Sequence, residues 1–201
     1  MLHWKKNSSK CEYKSRDAIV HLIMLNLGLR VGEMIALRWS DINFNKNLVY
    51  INRTVQFNVM TSSDSLDYMV NEIKDSTKTE AGERILKLNE SVLLYLQILK
   101  EFDARNGIRS EYVACTRIGT MHNPRNLQRS LDRLLKRAGI IEQTSLHTLR
   151  HTFGSKLLRE GVAIEVVSEL MGHANITITM TKYINVLQEQ KMIAMDMVSV
   201  C

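Results

Sequence analysis

Proline is almost missing: one residue, Pro124, in a chain of 201 that also holds only nine glycines. Such counts argue against long linkers, and the sequence shows no internal repeat or low-complexity tract. Cysteine is scarce as well. Cys11, Cys115 and Cys201 are odd in number and scattered, with no C-x-x-C spacing, so neither a zinc knuckle nor a disulfide framework follows and a reducing compartment suits the chain. No run of 18 apolar residues occurs, and the opening M-L-H-W-K-K-N-S-S-K lacks an apolar core of signal length. The expectation is a cytoplasmic protein with no membrane partner.

What the chain does have is positive charge. Lys and Arg number 27 against 21 Asp and Glu, a net charge of +6, which favours an anionic partner. The excess is local: from Arg117 to Arg159 nine basic residues stand against Asp132 and Glu142 alone. Within that stretch Asn123 or Pro124 opens a helix to about Ala138, stopped by Gly139. Arg125, Arg129, Arg133 and Arg137 recur on it every four residues, opposite Leu127, Leu131, Leu134 and Leu135. A solvated face is one reading of the stripe. Four like charges at that spacing repel by roughly a few tenths of a kcal/mol per pair, and a phosphate backbone, whose neutralisation releases counterions, is the other.

The hydrophobic pattern gives an α+β fold, mainly α-helical, with a small antiparallel three-stranded sheet. Met1 to Ser15 reads as a polar linker or arm, and Arg16 to Leu27 as a buried helix ended by Gly28. Arg30 then occupies a turn before a short helix from Val31 to Trp39, where Glu33 is placed to support it. Strands are expected at Leu48 to Ile51, with Arg53 to Phe57 as an extension, at Tyr68 to Lys74, and at Arg84 to Leu88. Thr61 to Asp67 reads as a polar loop. The second and third strands flank D-S-T-K-T-E-A-G-E, a hairpin loop with Lys78 near its tip. Asn89 caps a helix from Glu90 to Arg105, and Val186 to Val200 forms a last helix that packs on its own domain or on a neighbour.

Ser145 to Val186 carries the densest set of polar side chains. In a helix from Ser145 to Glu160, His147 and Arg150 share a face, while Leu146, Leu149, Phe153, Leu157 and Leu158 seat it in a core. Ala163 to Met171 closes at Gly172, His173 follows on the turn, and Tyr183 comes ten residues later. No acid cluster accompanies these groups, so an oxygen-ligand metal site is not indicated. An anion fits better: Arg presents a planar fork to a phosphate, His moves protons near neutral pH, and Tyr serves as an oxygen nucleophile. The plainer alternative makes His147 a helix-start residue, Arg150 a surface charge and Tyr183 a half-buried ring. His147 and His151 have the spacing of a zinc pair, but no Glu follows the first and no third ligand is evident.

Taken in order, Arg30 in G-L-R-V-G-E, Lys78 in T-K-T-E-A-G-E-R-I-L-K-L, His147 and Arg150 in H-T-L-R-H-T-F, His173 in L-M-G-H and Tyr183 in T-K-Y-I-N-V form a series. In these motifs the chain resembles the catalytic domain of the tyrosine recombinases, the phage integrase family, over about Asp17 to Val186, in a style similar to integrases of mobile or conjugative elements. The resemblance implies that family's fold over residues 16–186, with 187–201 as the C-terminal helix. It implies cleavage and rejoining of double-stranded DNA through a 3′-phosphotyrosyl intermediate on Tyr183, without metal, nucleotide or other cofactor, by a homo-oligomer, a tetramer on DNA. Arg30 and Arg150 would hold the non-bridging oxygens, Lys78 would protonate the leaving 5′-oxygen, and His147 and His173 would assist. The family's amino-terminal core-binding domain is expected to be absent, since the catalytic part begins almost at Met1. A DNA-binding regulator that keeps the fold without the reaction, and a type IB topoisomerase, are the alternatives.

Overall fold

A computed structural model describes residues 9–62, 65–74 and 82–197, with side chains over 16–56 and 82–196. Among these the chain forms α1 (Ser9–Leu27), α2 (Val31–Ala36), a 3-10 turn (Trp39–Asp41), β1 (Ile42–Asn43), β2 (Leu48–Ile51), β3 (Thr54–Ser62), β4 (Ser65–Lys74) and β5 (Arg84–Lys87). It continues with α3 (Glu90–Arg105), α4 (Pro124–Arg137), α5 (Leu146–Arg159), α6 (Ile164–Met171), α7 (Ile176–Lys182) and α8 (Ile184–Met197). No described helix is long and apolar enough to cross a membrane.

Local signals set most boundaries. Asn89 caps α3 by accepting a hydrogen bond from the Val92 amide at 2.9 Å, and Asn123 does the same for α4 from the Arg125 amide at 2.8 Å. Ser145 caps α5, its hydroxyl accepting from the Thr148 amide at 3.2 Å. Each satisfies an amide that the first turn leaves without a helical partner. α1 begins at Ser9 rather than Arg16. The residues before Arg16 are polar, but lysine and glutamate are good helix formers, so the helix outruns its apolar period.

The mainly helical architecture and the three-stranded antiparallel sheet are as expected, but the sheet's membership is not. Its order is β1-β2-β5, with Val49 opposite Leu86. Tyr68 to Lys74 lies instead in β4, which pairs with β3 in a separate two-stranded ribbon. β3 begins at Thr54 as a new strand and does not extend β2, and β3 and β4 run through much of the segment expected as a polar loop. The physical reason is burial. Val49, Ile51, Leu86 and Leu88 are all buried, so pairing β5 with β2 puts two apolar rows on one face. β3 and β4 pair antiparallel from Thr54 opposite Lys74 to Ser62 opposite Ser65, and the buried Val55 ties the base of this ribbon to the main core.

The main core gathers around α1, whose Val20, Ile23 and Met24 are buried with Met34 and Ile35 of α2, Leu96 and Leu99 of α3, and Leu127 of α4. Arg16, fully buried at the start of this core, donates to both oxygens of Asp103 at 2.7 and 2.9 Å and to the carbonyls of Val113 and Cys115. Its charge is thus paired and its donors engaged, the condition for burying a guanidinium at all. A smaller cluster of Leu158, Val167, Met171, Tyr183 and Val186 joins α5, α6 and α8. The candidate site lies where the two meet.

Candidate active site

Two glycine-bearing turns bring the arginines together. Gly28 ends α1 with φ +62°, and a side chain there would run into the Phe153 ring, whose Cε1 lies 2.8 Å from an ideal Cβ. The absent Cβ lets α5 approach α1 closely. Arg150, one turn before Phe153, then donates from Nη1 to the Gly28 carbonyl at 2.7 Å. Arg30, two residues on and 39% exposed at its side chain, donates from Nη1 to Glu33 Oε1 at 2.6 Å. Its backbone amide donates to the other Glu33 oxygen at 2.9 Å.

The second turn is the end of α6. Gly172 takes the left-handed conformation at φ 62°, ψ 46°, its amide donating to Glu169 at 2.8 Å and the His173 amide to Ser168 at 3.0 Å. This pair of bonds ends the helix and turns its last carbonyls outward. Three consecutive ones each receive a guanidinium. Leu170 accepts from Arg84 Nε at 2.8 Å, Met171 from Arg150 Nη2, and Gly172 from Arg30 Nη2 at 2.7 Å. A helix C-terminus carries partial negative charge, which favours cations there.

Glu33 is the common counter-charge. It is almost fully buried and is gripped on both oxygens by Arg84, at 3.1 and 2.9 Å, with Arg150 3.9 Å away. Burial pushes its carboxyl up, but the hydrogen bonds and charge of Arg84, then the charges of Arg30 and Arg150, outweigh it and hold Glu33 below the ordinary range. Three positive charges around one negative leave an excess of two. Desolvation in such surroundings strengthens the attraction for an anion.

Tyr183 sits at the corner between α7 and α8 and is 2% exposed. Its hydroxyl lies 3.4 Å from the Met171 sulfur. It rests over Gly154, where an ideal Cβ would meet the phenol oxygen and stand 2.6 Å from Cζ. Burial pushes the phenol's pKa up, and the nearby charge of Arg150 opposes that. His173 is buried with Nδ1 2.7 Å from the Thr179 hydroxyl. Burial, then Arg150, Arg30 and Lys182, draw its pKa down to about 4, so the ring is neutral at pH 7. His147 is exposed and stacks edge-on against His151, ring centroids 4.7 Å apart, and His151 lies 5.5 Å from the Tyr183 ring. Burial and then Lys182 lower the pKa of both His147 and His151.

Five of the six residues expected at the site therefore gather here: Arg30, His147, Arg150, His173 and Tyr183. Lys78 lies outside the described residues. Arg150 is no surface charge but a buried one, at 1% exposure. Arg125, Arg129, Arg133 and Arg137 are all exposed along α4, with Leu127 and Leu131 buried behind them. Among the described residues no group of three His, Cys, Asp or Glu is arranged to hold a metal ion. Arg84 and Lys182 belong to the site and were not anticipated. A signal for Arg84 existed: positions 84, 86 and 88 share a strand face, and Leu86 and Leu88 point inward.

Residues 4–190 match the family described as Phage integrase family. A XerC-like tyrosine recombinase of Caldanaerobacter subterraneus subsp. tengcongensis is 31% identical over 189 aligned residues, covering 87% of this chain and 47% of that protein. Transposase A of transposon Tn554 from Staphylococcus aureus is 30% identical over 184 residues, covering 90% and 46%. The chain thus spans about half the length of the curated relatives it matches. Among solved structures, the integrase of transposon Tn1549 in complex with a circular intermediate DNA has a TM-score of 0.67 at 24% identity, over 89% of this chain and 55% of that one. XerA recombinase has a TM-score of 0.64 at 20% identity, over 94% and 65%; both are likenesses of fold. By the match along its length and by this architecture, the chain belongs to the phage integrase family and has the fold of a tyrosine recombinase catalytic domain.

Proposed function

We propose that the chain is the strand-cleaving part of a site-specific DNA recombinase serving integration or excision of a mobile element. The observation that carries this reading is the cluster of Arg30, Arg84 and Arg150 about the single Glu33 carboxylate, with a tyrosine beside it. An excess of two positive charges in a half-buried site complements a phosphodiester that gains negative charge as it becomes five-coordinate. In this reading Tyr183 attacks phosphorus through its phenol oxygen, the bond to the 5′-oxygen breaks, and a 3′-phosphotyrosyl linkage forms. Arg30 and Arg150 each keep N–H donors beyond those given to carbonyls and Glu33, since a guanidinium has five; these would bind the non-bridging oxygens. His173, neutral and anchored by Thr179, would donate to a phosphate oxygen, and His147 would take the phenol's proton. Lys78 would return a proton to the leaving 5′-oxygen. The linkage preserves the bond energy, so attack by a second strand's hydroxyl reverses the step without a nucleotide or metal.

The exposed row on α4 would lie along the DNA backbone. Transposase A of Tn554 and the Tn1549 integrase support the assignment to mobile elements. Assembly as a homo-oligomer on DNA, a tetramer, is supported by the exposed Met192, Ile193 and Met195 of α8, and action in the cytoplasm by the nature of such a substrate.

The test is covalent capture. A library of nicked suicide duplexes with randomised cores is incubated with the protein, and DNA that stays bound after denaturation is sequenced. A recurring site is expected, with the adduct lost in Tyr183→Phe and reduced on the order of 10²-fold or more in Arg150→Ala. The buried phenol favours one second reading, a DNA-binding module that does not cleave. Tight, salt-dependent binding with no adduct on any member of the library would decide for it.

A further inference from the structure

Glu33 is held by more than the arginine it was expected to support. Arg84 opens β5, and its side chain is only 5% exposed. It fills the space between the Glu33 carboxylate and the last turn of α6, with Nη1 and Nη2 on the two Glu33 oxygens and Nε on the Leu170 carbonyl. Its remaining contact is the Gly82 carbonyl at 3.3 Å. Its fork is thus turned toward protein acceptors on three sides. Both objects it touches are the supports of the phosphate-facing groups. Glu33 orients Arg30 through side chain and backbone, and the turn after Leu170 supplies the carbonyls that hold Arg150 and Arg30 and the amide that sets His173.

We propose that Arg84 is a positioning residue of this site, a buried bidentate clamp that locks Glu33 to the C-terminal turn of α6 and so fixes the relative placement of Arg30, Arg150 and His173. The assignment rests on the strand-cleavage reading for what is positioned, and on geometry alone for the clamp. Lysine cannot reproduce it, because an ammonium has no planar fork with which to span two carboxylate oxygens and a carbonyl. Loss of Arg84 also leaves a buried carboxylate with its largest favourable partner gone. Glu33, facing only Arg30 and Arg150, then takes up a proton more readily and releases its hold on Arg30.

Two measurements on the full chain test this, one without DNA. Carboxyl carbon shifts of labelled glutamate, with Glu33 assigned from Glu33→Gln, follow the Glu33 titration. Its midpoint is expected to move to higher pH in Arg84→Gln, and to a smaller extent in Arg84→Lys. An unmoved midpoint overturns the clamp. On duplexes recovered by covalent capture, the single-turnover cleavage rate at saturating protein is expected to fall on the order of 10²-fold in Arg84→Gln. DNA affinity stays within about threefold, Arg84→Lys recovers only part of the rate, and the loss deepens as pH falls. A saturated rate within about threefold of wild type, or full recovery with lysine, overturns positioning. Circular dichroism confirms folding, and should Arg84→Gln fail to fold, Arg84→Lys, which keeps the charge, carries both measurements. If wild type forms no adduct at all, the cleavage reading fails by itself, while the DNA-free titration still decides whether Arg84 clamps Glu33.

Discussion

A glycine under a phenol leaves no room for a methyl group. At Gly154 an ideal Cβ would stand 2.6 Å from Tyr183 Cζ and 2.8 Å from the Met171 sulfur, well inside van der Waals contact. Gly154→Ala is therefore expected to destabilise the fold by about 1–3 kcal/mol, seen as a lower melting temperature. Paired with Tyr183→Phe, which removes the oxygen nearest the new methyl, the cost should be less than the sum of the two single changes, since the sites share one contact. His21 gives a second residue-level expectation. It is buried on α1, with Nε2 3.4 Å from the Ser130 hydroxyl and Nδ1 without a partner. Burial, aided by the charge of His122 and opposed by Asp17, lowers its pKa to about 4. The unfolded imidazole binds its proton near the usual 6.5, so stability is full above that pH and declines as pH falls toward 4. The loss is on the order of 3 kcal/mol. Urea melts at pH 7 and pH 5 should show the decline in wild type and a flatter response in His21→Phe.

The helix ends carry the next expectation. Gly161 and Gly172 both follow helices in the left-handed conformation, at φ +81° and +62°, and alanine at either should cost about 1 kcal/mol of stability. Only the turn at Gly172 presents carbonyls to Arg84, Arg150 and Arg30. Gly172→Ala should therefore lower the rate of covalent adduct formation well beyond its effect on melting, and Gly161→Ala should not. Such termini were readable in the sequence: Asn89, Asn123, Ser145, Gly161 and Gly172 each act through a neighbour within a few residues, so local chemistry suffices. Strand pairing was not, because which of β4 or β5 joins β2 depends on a core assembled from distant segments. α7 left no trace either. Its I-T-I-T-M-T-K is rich in β-branched residues that disfavour helix, and packing against α6 and α8 overrides that preference. At the site, the polar series from Arg30 to Tyr183 was legible as a set of residue types, whereas Arg84 matters through Glu33, 51 positions away, and the Leu170 carbonyl, 86 away, partnerships no spacing reveals.

For the whole molecule the governing quantity is the asymmetry of charge. The arginines of α4 stand exposed, and the guanidinium groups of Arg30, Arg84 and Arg150 are engaged with Glu33 or backbone carbonyls. Affinity for duplex DNA should fall steeply with salt. Arg129→Ala should weaken binding to all sequences alike and lower the slope of log K against log salt by about 0.9, the release expected for one phosphate contact. An affinity indifferent to salt would remove α4 from the interface. The burial of Tyr183 in the Leu158, Val167 and Met171 cluster also requires movement before its oxygen meets a substrate, and the end of α6 tells what such movement preserves. Three guanidinium groups hang from three successive peptide oxygens on one short ribbon of backbone. Should that ribbon tilt or slide, the acceptors of all three groups travel together, and the spacing those peptide oxygens set between the cations is carried along while the surroundings are rearranged.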